Sequence, residues 1–208
     1  EILKIGKKFV INPKLIEVSP PSSASVSIDQ SIVKCKSNIK LSVLQKVLVS
    51  LNINNTVIFC NRKKDIDILS RYLTSKNFQT ISFHGDLVQT KRNEALNNFK
   101  NGSKKIMIAS DVAGRGLDVD NISHVINYDV PNNPEDYVHR IGRTGRAGKK
   151  GMAITLVTKE DNKSLNEIES LIKQKIKILT LSMFIPTLDN YNYDTLNSSD
   201  HIPNFLKR

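Results

Sequence analysis

The sequence predicts an α/β fold of three layers, a mainly parallel sheet held between two layers of helix. Two observations carry this expectation. Short apolar runs of about four to six residues alternate with amphipathic segments of about 10–15 from residue 26 to residue 177, as when a crossover helix follows each strand. The runs themselves are almost continuously apolar, as in Val57-Ile58-Phe59-Cys60 and Ile106-Met107-Ile108-Ala109, which suits strands covered on both faces.

The elements follow in order. Residues 7–18 hold a short mixed segment broken at Asn12-Pro13, because the residue before proline avoids the helical region. Ser19-Pro20-Pro21-Ser22-Ser23-Ala24-Ser25 reads as a linker, and a domain boundary is placed there. Val26 to Lys36 reads as a strand. Leu41, Leu44, Leu48 and Leu51 recur at helical spacing, so residues 39–52 are expected to form an amphipathic helix. Strand Thr56–Cys60 comes next, with Asn61 able to cap a helix whose inner face is Ile66, Leu69 and Leu73. Phe78 to Phe83 is a strand. Asp86 and Gln89, three apart, suit a capping box at the start of a helix that runs to Lys100 and ends at Asn101-Gly102. Strands are expected at 105–109 and 124–128. Asn133-Pro134 then opens a helix as N-cap and first residue, with Glu135 and Asp136 favourable in its first turn. A last strand covers 151–157, and Leu165, Ile168 and Ile172 mark a final helix to Lys177. Residues 186–208 are Asn- and Ser-rich without a sustained period.

Composition narrows the function classes. The chain has 208 residues, 39% of them hydrophobic, enough for a core and too many for a disordered chain. No stretch approaches the ~20 consecutive apolar residues of a membrane span, and no long apolar segment follows the first residues as in a signal peptide. The chain starts without methionine, which suggests a piece of a longer protein. Two cysteines, Cys35 and Cys60, are too few for a disulfide framework and lack metal-site spacing, so a reducing cytoplasm is expected.

The net charge of +11 is unevenly placed. His139 to Lys150 carries Arg140, Arg143, Arg146, Lys149 and Lys150 without an acid, whereas Leu117 to Val138 carries five acids without a base. Such a balance suits a polyanionic partner such as nucleic acid. A merely Lys-rich solvated surface accounts for the charge equally well.

In an open parallel sheet, ligands gather at the carboxyl ends of the strands, which selects the loops after Phe59, Phe83, Ala109 and Tyr128. Two stretches concentrate chemistry there. His139-Arg140-Ile141-Gly142-Arg143-Thr144-Gly145-Arg146-Ala147-Gly148 mixes glycines, which let the backbone turn closely, with arginine forks that match phosphate geometry. Arg143 and Arg146 lie three apart, so one tight turn could aim both at one anion. Ser110-Asp111-Val112-Ala113-Gly114-Arg115-Gly116-Leu117-Asp118 follows an apolar strand. Its hydroxyl and backbone N–H groups suit phosphate, and its carboxylates suit ribose hydroxyls. Taken alone, Asp118 also reads as a turn residue, His84-Gly85 as a strand-end turn, Gln89 as a cap and Arg92 as a solvated helix residue.

Taken together and in this order, these segments resemble the second RecA-like domain of DEAD-box RNA helicases. Val57-Ile58-Phe59-Cys60-Asn61 resembles motif IV, His84-Gly85 with Gln89 and Arg92 the Gln-x-x-Arg motif, and Ser110 to Asp118 motif V. Val125 to Pro131 resembles the segment that follows, and His139 to Arg146 motif VI. The wording is most similar to bacterial members of the RhlE type. Ser110 stands where threonine is usual, keeping the hydroxyl, and Gly114 where alanine or serine is usual.

The resemblance implies an α/β RecA-like domain over residues 31–178. It would be preceded by the end of a first RecA-like domain (1–18) and an interdomain linker (19–30), and followed by an extension (179–208). It also implies a full-length enzyme that couples ATP binding and hydrolysis to local unwinding of RNA. ATP and Mg2+ would be held mainly by the first domain, since the chain contains neither a Gly-x-x-x-x-Gly-Lys-Ser/Thr run nor an acidic quartet. By resemblance, Arg143 and Arg146 are arginine fingers at the γ-phosphate and His139 links the nucleotide site to the first domain. Gly116 and Asp118 meet the nucleotide. Asn61, Arg62, Gly85, Arg92, Ser110 and Asp111 lie along the RNA backbone, and Gln89 orders the turn presenting Arg92. Phe59 is expected to pack beneath the motif VI loop. Expected partners are RNA, ATP and the first RecA-like domain, with no membrane. Two other readings stay open: a non-catalytic RNA- or protein-binding module, and another superfamily 2 helicase acting on DNA.

Overall fold

A computed structural model describes residues 27–184, apart from 52, 54, 115–118, 120, 121 and 147. Seven strands form one sheet: β1 (Ile28–Lys34), β2 (Thr56–Phe59), β3 (Thr80–Phe83), β4 (Ile106–Ala109), β5 (His124–Asn127), β6 (Gly151–Val157) and β7 (Lys177–Leu179). Their spatial order is β3-β4-β2-β5-β6-β1-β7, and every pairing is parallel. The helices are α1 (Lys40–Ser50), α2 (Lys63–Ser75), α3 (Gln89–Lys100), the single turn α4 (Asp111–Gly114), α5 (Pro134–Ile141) and α6 (Asn162–Ile172).

Strand side chains alternate between the two faces, and the core divides accordingly. Ile58, Ile106, Ile108, Ile126, Ile154 and Leu156 pack with α1 and α2 on one face. On the other, Val57, Phe59, Met107, Ala109 and Val125 pack with Ala95 and Phe99 of α3. Farther along that face Ile28, Ile32, Ala153 and Val157 meet Tyr137 and Ile141 of α5 and Leu165 and Ile168 of α6. The expected three-layer α/β architecture is therefore present.

Several local expectations are corrected. The buried stripe of α1 is Val43, Leu44, Val47 and Leu48; Leu41 and Leu51 only flank the core. Helix α2 has Arg62 as N-cap without a side-chain cap bond, because the Asn61 amide is used elsewhere. Helix α3 has Val88 as N-cap, and Asp86 pairs with Lys63 instead of closing a capping box. Asn133 does precede Pro134 at the start of α5, though its side chain makes no cap bond.

The domain limits also move. Residues 28–30, placed in the linker from sequence, belong to β1. Helix α6 stops at Ile172, where Lys173 turns left-handed with φ of 54°, and Lys177 opens the unforeseen strand β7. Among the described residues this strand pairs only with β1, and it is three residues long and largely exposed, so it carries neither alternation nor an apolar run. Beyond it, the 3-10 turn Leu181–Phe184 returns to the sheet, and Phe184 is buried among the α1 residues. Residues 179–184 thus belong to the folded unit, not to an extension. Phe184→Ala is expected to lower the unfolding free energy by about 3 kcal/mol, read as a shift in the urea midpoint at constant m-value. Residues 1–26 and 185–208 lie outside the described residues.

Candidate nucleotide and RNA interface

The carboxyl ends of β3, β4, β2 and β5 bring His84, Ser110, Asn61 and Asp129 side by side, as the strand pairings require. Across them lies α5, whose buried stripe is Tyr137, Arg140 and Ile141. Arg140 is the residue that sequence reasoning passed over. It is 2% exposed and its guanidinium is the centre of the site.

Arg140 Nε donates to Asp111 Oδ1 at 2.6 Å and NH2 to Asp111 Oδ2 at 2.8 Å, a fork-to-fork pair. NH2 also donates to Asn61 Oδ1 at 2.7 Å, and NH1 to the Asp129 carbonyl at 2.7 Å. The guanidinium lies over the Phe59 ring, 5.4 Å from its centroid. One side chain therefore ties together the ends of β2, β4 and β5 and the helix that carries His139. Asp129 extends the network: its carboxylate accepts from Lys40 Nζ at 2.9 Å and from the Asn61 N–H at 3.1 Å. Two cues in the sequence could have found Arg140. It falls three residues after Tyr137 on the apolar stripe of its helix, and Asp111 and Asp129 both sit at strand ends.

Asn61 and Asp111, read from resemblance as RNA contacts, are thus engaged inside the protein. Asn61 Nδ2 donates to the Val130 carbonyl at 2.9 Å and to Asn132 Oδ1 at 3.3 Å, while both Asp111 oxygens face Arg140. Arg62, Gly85, Gln89 and Arg92 remain at or near the surface. Arg62 is half exposed with Nε on Asp65 at 2.8 Å. At Gly85, a Cβ would meet only the end of Lys63, 3.9 Å away, so the surface there is open. Arg92 lies over the Phe83 ring at 5.1 Å. Gln89 Nε2 donates to Asn93 Oδ1 one turn along α3 at 2.9 Å. The Ser110 hydroxyl is buried with no hydrogen-bond partner, an arrangement that costs free energy unless a ligand or water supplies one.

Motif VI is held as a rigid turn. Thr144 is buried and its hydroxyl donates to the Ile122 carbonyl at 2.5 Å. Gly145 has φ of 66°, and a Cβ there would stand 2.6 Å from Ile28 Cγ1, so glycine alone fits. From this turn Arg143 Nε donates to the His139 carbonyl at 3.2 Å and Arg146 Nε to the Gly142 carbonyl at 2.7 Å. Burial, and then the neighbouring Arg146 guanidinium, lower the pKa of Arg143. Two like charges are therefore held near one another, with Arg146 exposed. His139 is half exposed, its Nδ1 3.8 Å from Asp136. A small, open depression is lined by Phe59, Asp111, Gly114, Asp136, His139, Arg140 and Arg143. Gly116 and Asp118 lie outside the described residues. Burial raises the pKa of the Cys60 thiol well above its ordinary value, so it stays protonated as a packing residue.

Comparison with known proteins agrees with this geometry. Residues 39–148 match the model of the helicase conserved C-terminal domain. The chain is 46% identical over 178 residues to the ATP-dependent RNA helicase FAL1 of Kluyveromyces lactis, covering 85% of this chain and 45% of that protein. A DEAD box protein from Methanococcus jannaschii superposes with a TM-score of 0.71 at 39% identity, covering 86% of this chain and 48% of that one. Saccharomyces cerevisiae Dbp5 bound to RNA and ADP BeF3 superposes with a TM-score of 0.78 at 31% identity, over the same shares. The chain spans about half the length of the relatives it matches. It belongs to the helicase conserved C-terminal domain family, in the form carried by DEAD-box RNA helicases.

Proposed function

We propose that this chain is the carboxyl-terminal half of an ATP-dependent RNA helicase, supplying arginine fingers and part of an RNA surface to an active site shared with a first RecA-like domain. The observation that carries the reading is the neighbouring Arg143 and Arg146 guanidiniums on one turn, held by the His139 and Gly142 carbonyls respectively. Like charges held together on a rigid turn are suited to meet concentrated negative charge, such as a phosphoryl group in transfer. ATP supplies that group, and Mg2+ is assigned to the first domain. His139, beside Arg143 at the depression, would face that domain. Gly116 and Asp118 are assigned to the nucleotide on the resemblance alone, as is the kinship to RhlE-type members.

The RNA surface is assigned to Arg62, Gly85 and the Ser110 hydroxyl at the ends of β2, β3 and β4, and to Arg92 of α3. The orphaned Ser110 hydroxyl fits a phosphate or 2′-hydroxyl. Asn61 and Asp111 act by holding the loops through Arg140. RNA and ATP would each favour closure of the two domains, so each strengthens the other's binding. The two free cysteines and the family role suit the cytoplasm.

Three measurements test this. The purified 208-residue chain is expected to show no RNA-stimulated ATP hydrolysis, and measurable turnover would overturn the shared-site reading. In the full-length protein, RNA should stimulate ATPase and DNA of the same sequence should not. Equal stimulation would favour a DNA-acting helicase, and none by either would favour a binding module. With Arg62 and Arg92 as the cations at phosphates, this chain should bind single-stranded RNA with a log–log salt slope of about −1.4, at roughly −0.7 per phosphate. A slope near that of eleven contacts would mean that the whole basic surface binds.

A further inference from the structure

Beneath α5 the apolar sheet face is crossed by a row of polar side chains. Gln30 of β1, Thr155 of β6 and Asn127 of β5 stand on neighbouring strands and share the α5 side with Ile28, Ala153 and Val125 of the same strands. All three are buried, Asn127 completely. Asn127 Nδ2 donates to Thr155 Oγ1 at 2.9 Å, and Thr155 is a hydrogen-bonding neighbour of the Tyr137 phenol. That phenol donates to Gln30 Oε1 at 3.0 Å. Burial raises its pKa, so it stays a neutral donor. At the far end of the row, Arg140 NH1 reaches Asn127 Oδ1 at 3.4 Å. The row therefore begins and ends on α5, at two residues of its buried stripe, Tyr137 and Arg140.

What such a row adds to an apolar core is direction. Hydrophobic contact is non-directional and would let a helix of eight residues slide or turn on the sheet. A hydrogen bond weakens steeply away from its preferred angle, and a satisfied buried network specifies one arrangement. We propose that Gln30, Thr155 and Asn127 are positioning residues for the arginine turn. By holding α5 at both Tyr137 and Arg140, they fix its rotation and its place along its own axis. The turn that follows inherits that setting: the Arg143 N–H donates to the Arg140 carbonyl at 3.0 Å, and Arg143 Nε to the His139 carbonyl at 3.2 Å. The inference rests on the helicase reading for its effect on turnover, but not for the row itself.

Tyr137→Phe removes only the hydroxyl, and Thr155→Val breaks the link between the phenol and Asn127. In the full-length protein each should lower kcat for ATP about tenfold, since small misplacements near a reacting group are costly. KM for ATP should stay within about twofold, because ATP is assigned mainly to the first domain. Thr155→Ser keeps the hydroxyl and should hold kcat within about twofold of the natural protein. In the 208-residue chain, the Arg143 Nε–H resonance should shift with Tyr137→Phe and with Thr155→Val, and stay in place with Thr155→Ser. An unchanged kcat in Tyr137→Phe, a serine variant as slow as the valine one, or an unmoved Arg143 resonance overturns the proposal. Unfolding of Tyr137→Phe, read by circular dichroism, also overturns it, by making the row an element of stability alone. Should only Thr155→Val fail to fold, the kcat and the resonance of Tyr137→Phe decide. Absence of RNA-stimulated turnover in the unmodified full-length protein would instead sink the helicase reading, and the Arg143 resonance would still decide the row.

Discussion

Replacing Arg143 or Arg146 by alanine in the full-length protein is expected to lower RNA-stimulated ATP turnover by on the order of 10³-fold. RNA affinity measured without nucleotide should change by less than about twofold, because neither residue is among those assigned to the RNA surface. The two losses should not multiply, since residues that act as a unit are strongly non-additive. Arg143→Lys should recover little of the loss. Lysine restores the charge but not the planar fork that makes two parallel hydrogen bonds. Of the two, Arg143 is the half-buried member at the depression and bears the desolvation that lowers its pKa, whereas Arg146 stands in solvent. An anion arriving between them would relieve both the repulsion and the desolvation. Steady-state turnover with and without RNA, paired with a fluorescence RNA titration, checks the prediction. An unchanged turnover number for either variant removes that residue from the finger role.

The second large effect is on stability. Arg140→Met should lower the unfolding free energy of the 208-residue chain by about 3 kcal/mol. The side chain is buried, and its removal strands Asp111, the Asn61 side-chain oxygen and the Asp129 carbonyl at once. Asp111 keeps some exposure, with 23% of its side chain accessible, so water recovers part of the loss and the figure sits at the lower end for a broken buried pair. The reciprocal change, Asp111→Asn, removes charge from the partly exposed partner and should cost less. A urea titration of both variants distinguishes this hub from a surface arginine, for which the loss would stay within about 0.5 kcal/mol. If Arg140→Met proves no less stable than the natural chain, the hub is not structural. The same substitution in the full-length protein should also depress turnover, because α5 carries His139 and leads into the Arg143 turn.

Much of the fold was legible because parallel strands buried on both faces must be apolar throughout. Val57-Ile58-Phe59 and Ile106-Met107-Ile108 could hardly be anything else, and the inner stripes of α2 and α6 fell where their leucines and isoleucines recur. Helix starts were less legible. Asn61 and Asp86 carry capping side chains, but a hydrogen-bonding group serves one partner at a time, and Arg140 and Lys63 hold them. Strand β7 was invisible because an exposed edge strand of three residues has neither alternation nor hydrophobic run, and its partner β1 lies far away in sequence.

The site shows the same division. The arginine-glycine turn and the Ser110 hydroxyl were named from residue chemistry, because glycine, fork and hydroxyl carry it wherever the backbone places them, whereas Arg62 and Arg92 were named from the family resemblance. Which of those polar groups remain available to a ligand was a tertiary matter. Asn61 and Asp111 have side chains that suit RNA, yet the packing of α5 across the ends of β2, β4 and β5 gives both to Arg140. Gly114 likewise read only as a departure from a motif. Only the fold shows the Phe59 ring beside it, 2.5 Å from where a Cβ would stand. Sequence determined which chemistry the loops can offer, since that is a property of side chains. Tertiary structure decided which groups are satisfied internally and which face outward, because hydrogen-bond partners and steric room are properties of neighbours that the chain brings together only on folding.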